Sequence, residues 1–352
     1  VSMVNDAPVR AYHTSSPETA HTVRTLLAHL TSQLHASVAL AAEHENEHEH
    51  EPEHEHEQNQ ASAHQRNHAP NALSREAREI LATVLNISPG DVSRRGNEFV
   101  NRDTAARALR IVTRRSTGEP LAYALGSAAF RYLDLFVDSR VLIPRPETEI
   151  VVEQALRVTA DSPGGLAVDI GTGSGAIALS LATEGRFARV IATDLSPDAL
   201  SVARLNADRT LHSGFGQAAD HTTPARTAAP IEFRQGADFE PLQGIKAQVI
   251  VSNPPYIAWE EAGELPASVR DWEPHLALFA NDLGMARYDV LLAGASSHLV
   301  PGGWLVLEVD SRRADETARR ATANGRYTHV ELVRDLTGRH RVLLARVSGD
   351  IY

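Results

Sequence analysis

The residues Ser252-Asn253-Pro254-Pro255-Tyr256 directly follow a short apolar run at 249–251 that reads as a strand. Two consecutive prolines stiffen the backbone and bring no N–H, while their carbonyls stay free as acceptors. The Asn253 side-chain oxygen and the Pro254 carbonyl can together accept both hydrogens of a planar NH₂ group, with the Tyr256 ring against its face. Such a grip leaves the nitrogen open in one direction, toward a methyl donor. The plainer reading is a Pro-stiffened loop with a packed tyrosine.

A second constellation lies upstream. Asp169-Ile170-Gly171-Thr172-Gly173-Ser174-Gly175 stands between an apolar run at 166–170 and a helical pattern at 176–182. Glycine permits the sharp strand-to-helix turn and lets a ligand approach a backbone that carries no Cβ. Asp194 closes the next strand, where a carboxylate can accept hydrogen bonds from ribose hydroxyls. Taken alone, the loop is also compatible with a ligand-free turn. Gly171, Gly173 and Ala176 satisfy the looser dinucleotide pattern as well, which leaves NAD open. The Asn-Pro-Pro-Tyr segment is what turns the pair toward a methyl donor.

Both motifs need strand ends held side by side. Short apolar runs at 166–170, 190–193, 231–234, 249–252, 304–309, 328–332 and 341–345 alternate with helical patterns at 176–182, 199–207 and 285–299. This alternation predicts an α/β fold with a doubly wound, mostly parallel sheet, which binds ligands at the C-terminal strand ends. Upstream, apolar positions recur at helical spacing over 22–40 (Val23, Leu26, Leu27, Leu30, Leu34, Val38), 73–85 and 104–113. They predict a small helical N-terminal domain. The division expected is a disordered segment 1–21, a helical domain 22–115, a hairpin linker 116–145 and a sheet domain 146–352. Residues 209–230 read as a long surface loop.

Composition narrows the function classes. The 352 residues carry a net charge of −11 and no cysteine, which excludes disulfides, thiolate zinc sites and a cysteine nucleophile. Eight Glu and one Arg within 43–68 account for −7 of that charge. The rest is nearly balanced and offers no basic footprint for nucleic acid. No apolar run approaches the ~18 residues of a membrane span, and the N-terminal stretch has no signal-type core, so a cytoplasmic protein without membrane partners is expected. The 43–68 tract, which also holds seven His, reads as a solvated loop inserted in the helical domain. Weak divalent-metal capture or a pH-responsive charge is the sharper reading; no spacing there matches a closed zinc site, and no metal is assigned.

The two motifs resemble those of amino-group methyltransferases that use S-adenosylmethionine, and a narrower resemblance follows. Gly118-Glu119-Pro120-Leu121-Ala122-Tyr123-Ala124-Leu125-Gly126 with Phe130, and Val141-Leu142-Ile143-Pro144-Arg145-Pro146-Glu147-Thr148-Glu149, resemble the HemK/PrmC family of protein-(glutamine-N5) methyltransferases. Trp272-Glu273-Pro274 with Ala277-Leu278, and Asp335-Leu336-Thr337-Gly338 with Arg341, extend the resemblance over roughly residues 73–346. It implies a sheet of the S-adenosylmethionine-dependent methyltransferase type and methyl transfer to a glutamine side-chain nitrogen in the Gly-Gly-Gln segment of peptide-chain release factors. By the same resemblance, Gly171, Thr172, Gly173, Ser174 and Gly175 would wrap the methionine end of the cofactor and Asp194 its ribose. Asn253, Pro254, Pro255 and Tyr256 would grip the substrate amide, Asn253 standing against the cofactor as well. Asp238 is the candidate adenine contact, although Gly236-Ala237-Asp238-Phe239 carries its acid one position later than the family's Gly-Asp pair. The 209–230 loop and the 43–68 tract are further departures. Two other classes share these motifs: an adenine-N6 nucleic-acid methyltransferase acting on a flipped base, and a non-catalytic module that keeps the cofactor pocket.

Overall fold

The structure, a computed structural model, describes residues 21–48, 59–212 and 228–349. The chain divides into two compact units, Val1–Leu125 and Gly126–Tyr352. In the first, α1 (Val23–His48), α2 (Asn59–Leu85) and α3 (Arg102–Ser116) each turn one apolar stripe inward. Leu26, Leu30 and Leu34 of α1 share a core with Ala77, Ile80 and Leu81 of α2 and with Ala108, Ile111 and Val112 of α3. Asn101 caps α3, its Oδ1 accepting from the Thr104 N–H at 2.8 Å.

These helices overrun the expected spans and replace the loop expected within 43–68 at its two ends, 43–48 and 59–68. The backbone is helical through His48 and again from Asn59, because Glu, Gln and Ala are good helix formers and polarity alone does not break a helix. Residues 49–58 lie outside the described residues, as does the expected disordered segment except His21, which pairs with Val100 in a two-residue strand. Of the segment expected as a hairpin linker, residues up to 125 stay with this unit. Arg114 donates to the carbonyls of Tyr123 and Ala124 at 3.0 and 3.2 Å and to Glu119 at 2.8 Å.

The second unit opens with an antiparallel hairpin, Ala128–Phe130 against Leu133–Leu135. Then come α4 (Pro146–Val158), β1 (Leu166–Ile170), α5 (Ala176–Glu184), β2 (Arg189–Asp194), α6 (Pro197–His212), β3 (Ile231–Gln235) and β4 (Ala247–Ser252). They are followed by α7 (Ala286–Gly294), β5 (Leu299–Glu308), α8 (Ala314–Ala323), β6 (Tyr327–Arg334) and β7 (His340–Val347). The strands form one sheet in the order β3-β2-β1-β4-β5-β7-β6, parallel except for β7, which is antiparallel to both neighbours. The chain winds outward in opposite directions from β1 and β4, which leaves a crevice beyond their C-terminal ends.

Both faces of the sheet are covered, so the central strands read as unbroken apolar runs. Val249 and Val251 enter one core layer and Ile250 the other; Val306 and its neighbours Leu305 and Leu307 divide the same way. Helix α4 has no counterpart in the expected elements. Pro146 stands in its first turn with Glu147 and Glu149, where fixed φ and negative charge both suit a helix start, and Val151, Val152 and Ala155 form its buried face. The helix expected over 285–299 stops short, Leu299 already belonging to β5. Of the expected 209–230 loop, α6 takes the start through His212, and 213–227 lie outside the described residues. No helix among the described residues is long and apolar enough to cross a membrane.

Ile250 is fully buried in the middle of β4. Ile250→Ala is expected to cost about 2–5 kcal/mol, read as a lower urea midpoint at unchanged slope.

Candidate active site

On β1, Ile170 lies opposite Ser252 of β4, and the Ser252 hydroxyl donates to the Ile170 carbonyl at 2.7 Å. The glycine loop leaves one strand and the Asn-Pro-Pro segment the other from these adjacent positions. Both therefore line one cavity of about 440 Å³. Gly171, Thr172, Gly173 and Ser174 form part of its wall, Asn253, Pro254 and Pro255 another part, and Asp194 and Asp238 contribute from the ends of β2 and β3.

The glycines differ in their reasons. Gly171, Gly173 and Gly175 all have positive φ, at 75°, 54° and 86°. An added Cβ at Gly171 or Gly173 would meet no protein atom within 4 Å, so the room beside that backbone is available to a ligand. At Gly175 it would press on Ala203 of α6 at 3.3 Å; this glycine, outside the cavity wall, serves helix packing. The loop is pinned from below. The N–H groups of Gly171 and Thr172 both donate to the Thr193 carbonyl at 2.9 Å. Asn206 of α6, unremarked in the sequence, is buried and donates to the Ser174 and Phe136 carbonyls at 2.9 Å while accepting from the Phe136 N–H at 2.7 Å.

Three carboxyls shape the electrostatics. Asp194 accepts from the Gly173 N–H on one oxygen and the Ser196 N–H on the other, each at 2.9 Å. Burial raises its pKa, opposed by those N–H groups. With the Leu195 N–H also counted, the carboxylate keeps a lone pair for a ligand. Asp169, fully buried beneath the loop, accepts from the Thr172 hydroxyl at 2.7 Å and the Ala178 N–H at 3.1 Å through Oδ2, while Oδ1 has no hydrogen-bond partner among the described residues. Burial pushes its pKa up to about 7. Glu308, at the end of β5, is also raised to about 7 by burial, against the pull of the Thr148 hydroxyl and the Arg341 charge.

Glu308 joins a relay that the sequence did not suggest. Asn253 Nδ2 donates to Thr148 Oγ1 at 3.1 Å, and Thr148 Oγ1 donates to Glu308 Oε2 at 2.6 Å. The Tyr256 hydroxyl donates to Glu308 Oε1 at 3.3 Å. Tyr256 packs against the core beside this carboxylate and is not part of the cavity wall. Asp238, with a positive φ of 47°, is paired with Arg287 of α7, and both line the cavity. A strap at 139–145 forms another wall; buried Glu273 pairs with Arg145 and accepts from the Ile143 N–H at 3.1 Å. Thr148 and Glu273 sit inside segments that carry the family resemblance, but Glu308, Asn206 and Arg287 gave no local signal.

The PrmC N-terminal domain family matches residues 58–126, and a methyltransferase domain family matches residues 168–229. A release factor glutamine methyltransferase of Moorella thermoacetica is 38% identical over 270 residues, covering 77% of this chain and 90% of that protein. Its namesake from Deinococcus radiodurans is 36% identical over 274 residues, with 78% and 91% covered. The one from Burkholderia pseudomallei is 36% identical over 275 residues, with 78% and 92% covered.

The raised carboxyls make stability depend on pH. Folding favours the protonated form of Asp169 and Glu308, so their contribution is fully present below about pH 4 and is lost as pH rises to about 7. Asp169→Asn removes one of the two titrations. Urea denaturation between pH 5 and 8 should show a shallower decline, by up to about 1.4 kcal/mol per pH unit. Equal slopes in the two proteins would exclude Asp169 as a contributor.

Proposed function

Because the chain belongs to the release factor glutamine methyltransferase family, we propose that it methylates the side-chain nitrogen of a glutamine in the Gly-Gly-Gln segment of a peptide-chain release factor, in the cytoplasm. S-adenosylmethionine supplies the methyl group on a positively charged sulfur. The observation that carries this reading is the shared cavity, in which a glycine loop open to a ligand stands beside Asn253 and the two prolines.

The cavity residues fit that cofactor. Gly171 and Gly173 keep the backbone clear beside it, Thr172 and Ser174 complete the loop, and Gly175 lets the loop close onto α6. Asp194 accepts from a ribose hydroxyl with the lone pair its backbone partners leave. Asp238, drawn to Arg287, serves the adenine end.

An amide nitrogen is a poor nucleophile because its lone pair is delocalised into the carbonyl. The protein's contribution is therefore positioning, with acceptors that favour positive charge on nitrogen. Asn253 Oδ1 and the Pro254 carbonyl accept the two amide hydrogens. Pro255 keeps that backbone stiff, and Tyr256 supports it from the core side. Once methylated, the nitrogen is acidic and releases its proton to water, so no side chain is assigned as a base.

Incubating the protein with release factor and S-adenosylmethionine should add one methylene unit to the glutamine, read by peptide mass spectrometry. No gain despite calorimetric binding of the cofactor would return the substrate question to another amine. Asn253→Ala should lower turnover by about 10²–10³-fold while cofactor binding stays measurable; near-normal turnover would remove Asn253 from the grip. Gly173→Ala should do the opposite, losing cofactor affinity because its methyl enters the cavity, while thermal denaturation shows a folded protein lowered in stability by about 1–2 kcal/mol for alanine at a left-handed φ.

A further inference from the structure

We propose that Thr148 and Glu308 are positioning residues that fix which end of the Asn253 amide faces the substrate. The inference rests on the methyl transfer to an amide nitrogen proposed above. Once ionised, above about pH 7, Glu308 can only accept hydrogen bonds, and a threonine hydroxyl has a single proton to give. Glu308 Oε2 lies 2.6 Å from Thr148 Oγ1, so that proton is directed to the carboxylate. Toward Asn253, 3.1 Å away, Thr148 then presents only lone pairs.

Only the NH₂ end of the Asn253 amide can meet them. Its oxygen is thereby left for the substrate, the polarity that an incoming NH₂ group requires. The reverse orientation would bring the amide oxygen against the hydroxyl's lone pairs, two acceptors with no proton between them. Thr148 and Glu308 are 5% and 1% exposed, too enclosed for water to replace either partner. The Tyr256 hydroxyl occupies the second oxygen of Glu308, which keeps the carboxylate from turning away. The helix start at Pro146 thus brings Thr148, two residues later, within reach of Asn253.

Thr148→Val keeps the side chain's shape and deletes the hydroxyl, whereas Thr148→Ser keeps the hydroxyl. At saturating cofactor and about pH 8, where Glu308 is ionised, Thr148→Val should lower kcat on release factor by about 10²-fold, with calorimetric cofactor affinity unchanged and Thr148→Ser restoring most of the rate. Glu308→Leu provides a second variant should Thr148→Val fail to fold. It frees the Thr148 proton to turn toward Asn253, so kcat should fall here too. A readout independent of turnover is hydrogen exchange at the Asn253 side-chain amide in ¹⁵N-asparagine-labelled protein, its signal identified by loss in Asn253→Ala. Exchange should be slow in wild type and in Thr148→Ser, and fast in Thr148→Val. The proposal is overturned if Thr148→Val loses less than about fivefold in kcat, if Thr148→Ser is equally slow, or if only cofactor affinity changes. Failure of the wild type to methylate any release factor would instead overturn the assignment of substrate, while the exchange measurement would still test the amide's orientation.

Discussion

The pairing of Ile170 with Ser252 is the constraint on which the rest of the site depends. Strands β1 and β4 are apolar on both faces, so a slip of one residue would exchange the side chains offered to the two core layers. Asp169 would move with them, away from the Thr172 hydroxyl and the Ala178 N–H that it holds. Burial thus locks the register, and the register brings two loops 82 residues apart in sequence to one crevice. Pro254 and Pro255 need no partner strand to hold their shape. They need only to start at the right place.

Beneath the crevice the chain keeps two fully buried carboxyls, Asp169 and Glu308. Each costs desolvation energy that a hydrocarbon would not, which burial expresses as a pKa near neutrality. Each uses its acceptors to set a neighbour's direction. Asp169 ties the glycine loop to the first turn of α5, and Glu308 holds the hydroxyls of Thr148 and Tyr256. Buried polar groups of this kind add little to net stability but distinguish one arrangement from its near alternatives.

Two of the segments that carry the family resemblance meet in space. Arg145 from the Pro-Arg-Pro segment pairs with Glu273 from the Trp-Glu-Pro segment, 128 positions later, and the strap they secure walls the cavity. Within the first unit, Arg114 gathers the Gly-Glu-Pro-Leu-Ala-Tyr segment by its carbonyls and by Glu119.

Much was legible in the sequence because it is local. Glycines after an apolar run mark a strand-to-helix turn, two prolines after another mark a stiff edge, and alternating periodicities mark a parallel sheet, all within a few residues of backbone. Helix α4 went unread, because the Pro-Arg-Pro run passes equally well for linker, although Pro146, its flanking acids and the spacing of Val151, Val152 and Ala155 all suit a helix. The two ends of the 43–68 tract were misread because charge speaks of solvent and not of backbone conformation. What only the tertiary structure decided is which polar atoms meet. Thr148 finds Asn253 across 105 positions and Glu308 across 160, and Asn206 finds Phe136 across 70. Such pairings depend on strand register and helix placement together, and a lone hydroxyl or amide carries no mark of its partner until the core has set both.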